Sequence, residues 1–570
     1  MKLSKLLINN FRGIKHLEIE FERDVTVLIG ENNSGKTTIL EAIRFGLDTI
    51  KSNKICNFSE HDFHRSTLLF DVRKSEPIVF TLYFLESEDH PWDEGVVQSL
   101  DEVIVGENFS VIKLQLRGWF DSEEEELKQE WLFLDDAENP LTGKHSAIRD
   151  LRNIRPFFFQ SALRAAKDEF HGQSTYWSSF LKNKDIDEKT RSVLENELQS
   201  VNQKIVSAHS SFNDVTDEVN RISELVSVAE SKAVSVDPVK SDIYKTLCYS
   251  EVNILTSTNS KIPVRQHGEG TQSLSVLLLF SAYLKTRLKK DIHRLAEPII
   301  AIEEPEAHLH PNAVRGLWHL IADLPGQKII ATHSGDILSE VPIEKIRRIN
   351  KSGIATQCQY IPATLLSPEE LRKFNHHVRR NRGELLFAKT WVLVEGETDV
   401  SVFIECAEIL KINLHRDGIR LVEYSQAGGP VIFIKVANAL GINWHVVADN
   451  DKSGDKYIES AKELLLDNNE DYHITQLDSP NTDLLLCYNG YGNPYRNGVT
   501  NRKEAELTEP EGTNQYWNQV YKIIKNLRGF SKPAAALEAI LLMKKNGKDG
   551  VPEEIKAIFD NIVMQSGGTT

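Results

Sequence analysis

The sequence GENNSGKTT, from Gly30 to Thr38, restricts the possible folds of this chain more than any other feature. It matches G-x-x-x-x-G-K-[ST], a glycine-rich loop whose backbone N–H groups surround phosphate. An apolar run, VTVLI, precedes the loop, and KTTILEAIRFGL follows it with apolar residues at helical spacing. The sequence therefore predicts a strand, a phosphate loop and a helix, in which Lys36 reaches the β- and γ-phosphates of a nucleotide and Thr37 holds Mg²⁺.

Two glutamates and a histidine are predicted to lie at the same nucleotide. The apolar strand IIAI (299–302) ends at Glu303 and Glu304, and a later strand, KIIAT, ends at His333. Ligands of α/β sheets bind at the carboxyl ends of the strands, so we expect these side chains near the phosphates. We predict that one of the two glutamates supports Mg²⁺ while the other polarises the attacking water, and that His333 contacts the γ-phosphate.

These motifs resemble the ATP-binding-cassette (ABC) ATPases of the RecF and structural-maintenance-of-chromosomes type. INNFRGIKHLEIEF is similar to their first hairpin, and HGEGTQSL (267–274) is similar to their signature loop. The resemblance implies an ATP site that comprises Arg12 near the adenosine, the loop residues Gly30, Asn33, Gly35, Lys36, Thr37 and Thr38, the signature residues Gly268, Gly270 and Gln272, and Glu303 and His333. It also implies dimerisation on ATP, because in that family the signature loop of one subunit completes the site of the other. The family has Asp where this chain has Glu303, so the ATPase is expected to be slow or regulatory.

A second acidic cluster is predicted far downstream. The apolar strand in WVLVEGETDV ends at Glu395, and the apolar strand in HVVADND ends at Asp449 and Asp451. Two strands of one sheet can bring these carboxylates to a single edge, where they repel each other unless they bind a divalent cation. Oxygen ligands favour Mg²⁺ or Mn²⁺, and such ions activate water for phosphodiester hydrolysis.

This second unit resembles a Toprim domain, and the complete layout resembles the OLD (overcoming lysogenization defect) nucleases and the similar Gabija-type anti-phage nucleases. The resemblance covers almost the whole chain and implies that Glu395, Asp399, Asp449 and Asp451 bind metal and catalyse DNA cleavage. The family also uses a later acidic residue and a late Lys. Asp483 and Lys532 are the candidates, with Asp478 as the alternative acid and an ordinary exposed role as the alternative for Lys532.

The remaining patterns predict an α/β protein of several domains. They are an ABC ATPase first lobe at 1–160 with antiparallel strands, a helical insert at 161–235, a second ATPase lobe at 236–365, a basic linker at 366–384 and a Rossmann-like Toprim domain at 385–570. Within the insert, apolar residues from Leu194 to Val226 recur at heptad-like spacing. That stripe packs within the domain or, at least equally well, forms a dimerisation surface.

Composition limits the partners. The net charge is -16, so any contact with nucleic acid must be local. The basic run RKFNHHVRRNRG (372–383) is either an exposed helix or linker, or a DNA contact. Five scattered Cys, no signal peptide and no apolar run of membrane-spanning length predict a cytoplasmic protein without a membrane partner.

The leading hypothesis is a nucleotide-regulated, Mg²⁺- or Mn²⁺-dependent DNA endonuclease of the OLD type. From the family we expect a homodimer or higher homo-oligomer, a role in anti-phage defence and a partner protein or RNA. The alternative is a RecF-like repair or recombination ATPase whose Toprim domain only binds DNA or metal. A primase or topoisomerase is a weaker third hypothesis, because the chain has no zinc-binding Cys cluster.

Overall fold

The computed structural model describes most of the chain. The described residues are 1–47, 56–65, 70–161, 175–181, 186–208, 211, 238–247, 250, 252–255, 260–353, 355–381, 383–466, 469–525, 527 and 529–565.

The described residues form strands and helices in alternation after an antiparallel first lobe. The strands are β1 Leu3–Phe11, β2 Ile14–Glu20, β3 Val25–Ile29, β4 Ile78–Leu85, β5 Val111–Asp121, β6 Glu126–Leu134, β7 Pro140–Leu141, β8 Phe157–Ser161, β9 Asn253–Leu255, β10 Lys261–Pro263, β11 Ile299–Glu303, β12 Gln327–Ala331, β13 Ile346–Ser352, β14 Ala355–Tyr360, β15 Thr390–Val394, β16 Ile419–Glu423, β17 Asn443–Ala448 and β18 Ile474–Gln476. The helices are α1 Lys36–Leu47, α2 Glu94–Leu100, α3 His145–Ile154, α4 Thr175–Leu181, α5 Glu188–Ala208, α6 Ile243–Leu247, α7 Glu269–Thr286, α8 Leu288–Asp291, α9 Pro311–Ala322, α10 Gly335–Leu338, α11 Pro368–Arg380, α12 Glu397–Leu410, α13 Val431–Leu440, α14 Lys452–Lys462, α15 Glu470–His473, α16 Thr482–Leu486, α17 Asn493–Arg496, α18 Asn514–Lys525, α19 Lys532–Asn546 and α20 Glu553–Gln565.

The first lobe is an antiparallel sheet in the order β2-β1-β4-β5-β6-β7. Its strands alternate buried and exposed side chains, as in β5, because one face packs on the core and the other faces solvent. The buried face packs with the apolar side of α1, including Ile39 and Ile43, in one hydrophobic cluster. The sheet thus supports the helix that carries Lys36 and Thr37 at its start.

The central sheet has the order β14-β13-β3-β12-β11-β8. β3 pairs in parallel with β12 and β13, and β11 pairs in parallel with β12 and β8. β3 and β12 are buried along their whole length, as expected for strands covered on both faces. Because β3, β11 and β12 run in the same direction, the phosphate loop, Glu303 and His333 meet at one edge of the sheet.

A second sheet, in the order β16-β15-β17-β18, is parallel throughout. The chain passes from β15 to β16 on one side and then to β17 on the other, so the strand order reverses between β15 and β17. Such a switch point leaves a crevice at the carboxyl ends of the two strands, where ligands of α/β sheets bind. The predicted α/β class is confirmed.

The two sheets are parts of one packed body. A single hydrophobic cluster runs from Val27 of β3 and Ile330 of β12 to Leu393 of β15 and Val446 of β17. The basic segment predicted as an exposed helix or linker forms helix α11, which is anchored because Phe374 and Val378 are buried in this cluster. The buried face of α11 therefore packs between the two units.

The predicted helical insert is described only in part. Helix α5 carries the first part of the heptad-like stripe, with Val201 44% exposed, and its one buried residue is the polar Asn202. The rest of the stripe, from Phe212 to Val226, lies outside the described residues. Its role in dimerisation therefore stays a prediction. Across the described ranges, no helix has the length and apolar character needed to cross a membrane.

Candidate active sites

The phosphate loop is closed by its own lysine. Lys36 is buried, and its Nζ donates to the carbonyl oxygens of Gly30 and Glu31, at 2.9 Å each. Gly30 and Gly35 have φ of 152° and 111°, values that L side chains rarely adopt. The loop therefore has the curled backbone of a phosphate-binding loop, and the Lys36 side chain closes it through these two hydrogen bonds.

The metal-supporting groups predicted for this loop are in contact. The Thr37 hydroxyl donates to Glu303 Oε1. Glu304 lies beside them, with its Oε1 3.9 Å from His333 Nε2. These residues line one pocket, together with Asn32, Asn33, Gly35, Lys36, Thr38 and Ala331. The strand-end placement inferred from sequence thus brings the predicted loop, acids and histidine together.

Burial sets the charge states in this pocket. It lowers the pKa of Lys36 to about 8, although Glu304 and Glu303 oppose the change. It also lowers the pKa of His333, and nearby Lys36 acts in the same direction. A neutral His333 can donate one hydrogen bond to a phosphate oxygen without adding a positive charge to the site.

One residue missed by sequence reasoning holds the histidine. Glu306, half-buried three residues after Glu303, accepts from Thr332 Oγ1 at 2.7 Å and from the backbone N–H of His333 at 2.9 Å. In the sequence, Glu306 follows Pro305 in a charged stretch after the strand. Nothing in that stretch distinguishes a carboxylate that accepts protein hydrogen bonds from one that faces solvent. In the structure it fixes the position of His333.

The other residues predicted to bind ATP lie apart from this pocket. Arg12 Nε donates to Asp62 Oδ1 at 2.8 Å. Gly268 caps α7, and Gln272 Nε2 donates to the carbonyl oxygen of His267 at 2.7 Å. Gly270 packs tightly, because a Cβ placed on it would lie 2.7 Å from the carbonyl oxygen of His308. None of Arg12, Gly268, Gly270 and Gln272 is among the described residues that line the phosphate-loop pocket.

The second site starts at the end of β15. Glu395 follows the strand directly, and Asp399 lies in the first turn of α12, where its Oδ2 accepts from the backbone N–H of Gly396 at 2.8 Å. The Glu395 Oε2 atom is buried and has no hydrogen-bond partner. A buried carboxylate oxygen without a donor is costly, so it favours a ligand that supplies positive charge.

The matching acids at β17 are fixed by a glycine. Asp449 follows the strand, and Asp451 caps α14 by accepting from the backbone N–H groups of Ser453 and Gly454, at 2.8 Å each. A Cβ placed on Gly454 would lie 1.9 Å from the carbonyl oxygen of Asp449. Only glycine lets the first turn of α14 approach the Asp449 backbone this closely.

The carboxyls of this site raise one another's pKa. Burial, with the neighbouring charges of Asp399, Glu395 and Asp451, raises the pKa of Asp449 to about 8. Burial with Asp451 and Asp399 raises that of Glu395 to about 7, and burial raises that of Asp399 to about 6. A divalent cation beside these carboxyls would favour their ionised forms, and carboxylate oxygens are the ligands that Mg²⁺ and Mn²⁺ prefer. Within the described ranges, no three His, Cys, Asp or Glu side chains are arranged so that they could hold a metal ion together.

The late acidic residue and lysine reach the same site through a tyrosine. Lys532 Nζ donates to Tyr521 Oη at 2.6 Å, and Tyr495 Oη donates to Asp483 Oδ1 at 2.8 Å. Burial raises the pKa of Asp483, and hydrogen bonding by Tyr495 and the charge of Lys532 oppose this. Burial raises the pKa of Tyr521, and the nearby charges of Asp483, Asp449 and Asp399 raise it further. The backbone N–H of the alternative acid, Asp478, donates to Glu554 Oε1 at 2.7 Å instead.

Three sets of contacts join the nucleotide-binding unit to the Toprim unit. Glu31 of the phosphate loop pairs with Lys389, which directly precedes β15, at 3.1 Å. The ring of His333 stacks on Phe387, with centroids 6.4 Å apart. Arg348, buried in β13 next to β3, donates to the carbonyl oxygens of Ala388, Leu440 and Gly441 at 2.7 to 2.9 Å. The nucleotide-binding unit therefore contacts the amino ends of β15 and β17, and the carboxylates lie at the opposite ends of these two strands.

Comparison with known proteins agrees with this two-site architecture. Residues 1–384 match the family described as "Protein of unknown function (DUF2813)". The chain belongs to the DUF2813 family. Residues 386–451 of this DUF2813 protein match the family described as "Overcoming lysogenization defect protein-like, TOPRIM domain", so the predicted Toprim unit is confirmed.

Relatives of the DUF2813 protein include nucleases. It is 31% identical to the uncharacterized protein YbjD of Escherichia coli (strain K12), over 52% of this chain and 53% of that one. It is 23% identical to endonuclease GajA of Bacillus cereus (strain VD045), over 82% and 78% of the two chains. It is also 23% identical to the OLD nuclease of Thermus scotoductus (strain ATCC 700910 / SA-01), over 79% and 82%. The chain spans about half the length of the first relative and most of the other two, and the predicted resemblance to the OLD nucleases is confirmed.

The raised pKa of Asp449 predicts how the metal-free protein responds to pH. Its folded pKa of about 8 lies above the ordinary value of 3.8, so the protonated form favours folding and that contribution is lost as pH rises from about 4 through 8. We expect Asp449→Asn to raise the Tm relative to wild type in EDTA at pH 9, and to change it little at pH 4. Mg²⁺ should raise the Tm of wild type more at pH 9 than at pH 6, because binding requires ionised carboxyls.

The control for this thermal-unfolding series is Glu459→Gln, which removes an exposed carboxylate from the same helix, α14. Its Tm should follow that of wild type at each pH, with and without Mg²⁺. A wild-type Tm that ignores Mg²⁺ at pH 9 would contradict a cation site at these carboxyls.

Proposed function

We propose that this protein is a divalent-metal-dependent DNA endonuclease whose cleavage is controlled by ATP bound at the phosphate loop. The observation that supports the proposal is the electrostatic coupling of Glu395, Asp399 and Asp449, two of which directly follow β15 and β17 at the switch point. Their mutual repulsion and the unpaired Glu395 Oε2 suit a site that takes Mg²⁺ or Mn²⁺. When bound, such ions activate water and neutralise a leaving oxygen in phosphodiester hydrolysis.

The residues of the chain have separate roles in this proposal. Glu395, Asp399, Asp449 and Asp451 hold metal, with Asp483 as a further acidic ligand. Lys532 supplies a positive charge at the phosphate that is cut, and Tyr521, its hydrogen-bond partner, keeps the ammonium directed at the site. An ammonium of this kind stabilises the charge that develops on the phosphate oxygens.

The nucleotide part of the proposal rests on the contacts between the nucleotide-binding unit and the start of the Toprim unit. Lys36 Nζ donates to the carbonyl oxygens of Gly30 and Glu31, and Glu31 is the residue that pairs with Lys389. ATP binding at Thr37, Glu303 and His333 therefore changes groups that touch the start of the Toprim unit. Glu304 is the candidate base for slow hydrolysis, and the signature residues Gly268, Gly270 and Gln272 of a second copy would complete the site.

The biological setting is proposed from the relatives. One is named an endonuclease and another an OLD nuclease, and the Gabija-type resemblance suggests defence against phage in the cytoplasm, as a homodimer or larger assembly with a partner protein or RNA. DNA is the proposed substrate.

Plasmid cleavage tests the proposal directly. We expect the wild type to nick or linearise supercoiled plasmid with Mg²⁺ or Mn²⁺ and to leave it intact with EDTA. Asp449→Ala should lower the cleavage rate at least about 100-fold, because loss of a ligand empties or misplaces the metal. Gel electrophoresis of time points gives the rates.

The same assay with ATP tests the control of cleavage. ATP should change the wild-type rate, whereas Lys36→Ala should cleave at a rate that ATP leaves unchanged. Equal cleavage by wild type and Asp449→Ala would place the activity elsewhere. No cleavage under any condition, with DNA binding retained, would favour a repair or recombination ATPase whose Toprim domain only binds DNA.

A further inference from the structure

A groove of basic side chains lies beside the carboxylate site. On one wall it is lined by Arg372, Lys373, His376, His377 and Arg380 of α11, and on the other by Gln426 and Ala427 of the turn after β16. We call these seven residues the basic groove. None of them belongs to the metal site described above.

The fold presents these cations on one rigid face. The opposite face of α11 is buried through Phe374, His377 and Val378, and a capping box between Ser367 and Glu370 fixes its first turn. Arg372 and Arg380 are exposed, and Lys373 is half-exposed. A helix locked in this way loses little conformational freedom when its outer face meets a charged ligand.

The groove is continuous with the carboxylate site. Arg380 Nη1 donates to Gln426 Oε1 at 2.6 Å, and Arg380 Nη2 donates to Glu397, two residues after Glu395. A Cβ placed on Gly428 would lie 3.8 Å from Lys373 Nζ, and a Cβ on Gly429 would lie 3.1 Å from the Tyr457 ring. The glycine turn thus leads from the lysine of the groove to the first turns of α14.

The charge of the groove contrasts with that of the chain. The chain carries -16 overall, so a strand of nucleic acid is repelled by most of the surface and held only where cations are concentrated. Glu369, the partner of Lys373, and Glu397, one partner of Arg380, are exposed, and exposed ion pairs contribute little stability. Arg380 also lies 3.9 Å from the buried Glu423. Backbone phosphates can therefore replace the two exposed partners at small cost.

We propose that the basic groove binds the phosphate backbone of duplex DNA and leads the strand to the switch-point carboxylates. The inference rests on the proposed nuclease function and names the surface that positions its substrate. The groove has no Phe, Tyr or Trp among its described lining residues, so it lacks the large aromatic rings on which bases usually stack. It should bind DNA through phosphates, without preference for sequence.

The test measures duplex binding without turnover. In the Asp449→Ala background, we would titrate a labelled 30-base-pair duplex against the double variant Arg372→Ala/Lys373→Ala at several salt concentrations. We expect at least about 10-fold weaker binding and a slope of log K against log [salt] that is smaller by about 2, because each lost phosphate contact removes about 0.9. Arg380 is left intact, since it touches Glu397.

The matched control is Lys289→Ala/Lys290→Ala, which removes the same charge from exposed positions on the short helix α8. This variant should keep the parent affinity and salt slope. Equal losses in both double variants, or none in the groove variant, would overturn the proposal. Groove-dependent binding of an RNA duplex in preference to DNA would overturn the assignment of DNA.

Plasmid cleavage by the groove variant with Asp449 restored separates this inference from the proposed function. Slower cleavage that low salt partly recovers would support the groove. Wild-type cleavage that the groove variant matches would overturn the groove and leave the nuclease standing. Groove-dependent binding in a wild type that never cleaves would support the groove and overturn the nuclease.

Discussion

Replacing Gly454 by alanine is expected to lower metal-dependent cleavage by about 100-fold or more. The added Cβ would lie 1.9 Å from the carbonyl oxygen of Asp449, which is backbone and has no rotamer by which to move away. The first turn of α14 must shift, and it carries Asp451, whose carboxylate caps that turn. A displacement of about 1 Å in groups that position a reaction can cost about 100-fold in rate.

Gly316→Ala is the matched control for this substitution. Gly316 lies within helix α9, and a Cβ placed on it meets nothing within 4 Å, so alanine should be tolerated or slightly stabilising there. Plasmid cleavage rates and Tm values of the two variants would be measured together. Normal cleavage by Gly454→Ala would mean that the approach of α14 to Asp449 does not set the geometry of the site.

Replacing Arg348 by alanine is expected to lower the free energy of unfolding by about 3 kcal/mol or more. Its guanidinium is buried and donates to three carbonyl oxygens of the Toprim unit, those of Ala388, Leu440 and Gly441. Each buried acceptor left without a donor costs about 1 to 3 kcal/mol. The same burial lowers the pKa of Arg348 to about 10, so the wild-type residue keeps its charge at neutral pH.

Chemical denaturation of Arg348→Ala, with Arg149→Ala as the control, would measure this loss. Arg149 has a side chain 80% exposed, and its removal should change stability by less than about 0.5 kcal/mol. Because Arg348 lies in the strand beside β3, its variant should also show a weaker effect of ATP on any cleavage that remains. Unchanged stability would show that the three carbonyls find other donors.

The sequence was sufficient where a site depends on strand ends. The phosphate loop, Glu303, His333, Glu395 and Asp449 each follow an apolar strand directly, and parallel strands bring their carboxyl ends to one edge. For that reason the phosphate loop, Glu303 and His333 line one pocket, and Glu395 and Asp449 follow neighbouring strands at one edge of the second sheet. The α/β class followed from the same alternation of strands and helices.

The sequence was insufficient where a site depends on packing between distant segments. Lys532 donates to Tyr521 of α18, and no local sequence pattern indicated that this tyrosine would be its partner. Arg348 appeared in RRIN as an ordinary charged residue, because nothing in a strand sequence tells which cation will be buried against another unit. The requirement for glycine at Gly454 is a matter of approach between backbones, which a single sequence does not display.

The apolar cluster that joins the two sheets has a consequence for dissecting the protein. Phe374, on the N-terminal side of the family boundary, packs against Trp391 and Phe433 on the other side, with ring centroids 6.3 and 5.8 Å apart. A fragment that ends or begins near residue 385 would expose these rings to water, and the resulting apolar patch would favour aggregation. The boundary between the two family matches is therefore not a boundary between two independent hydrophobic cores, and we expect the two parts of the chain to unfold together.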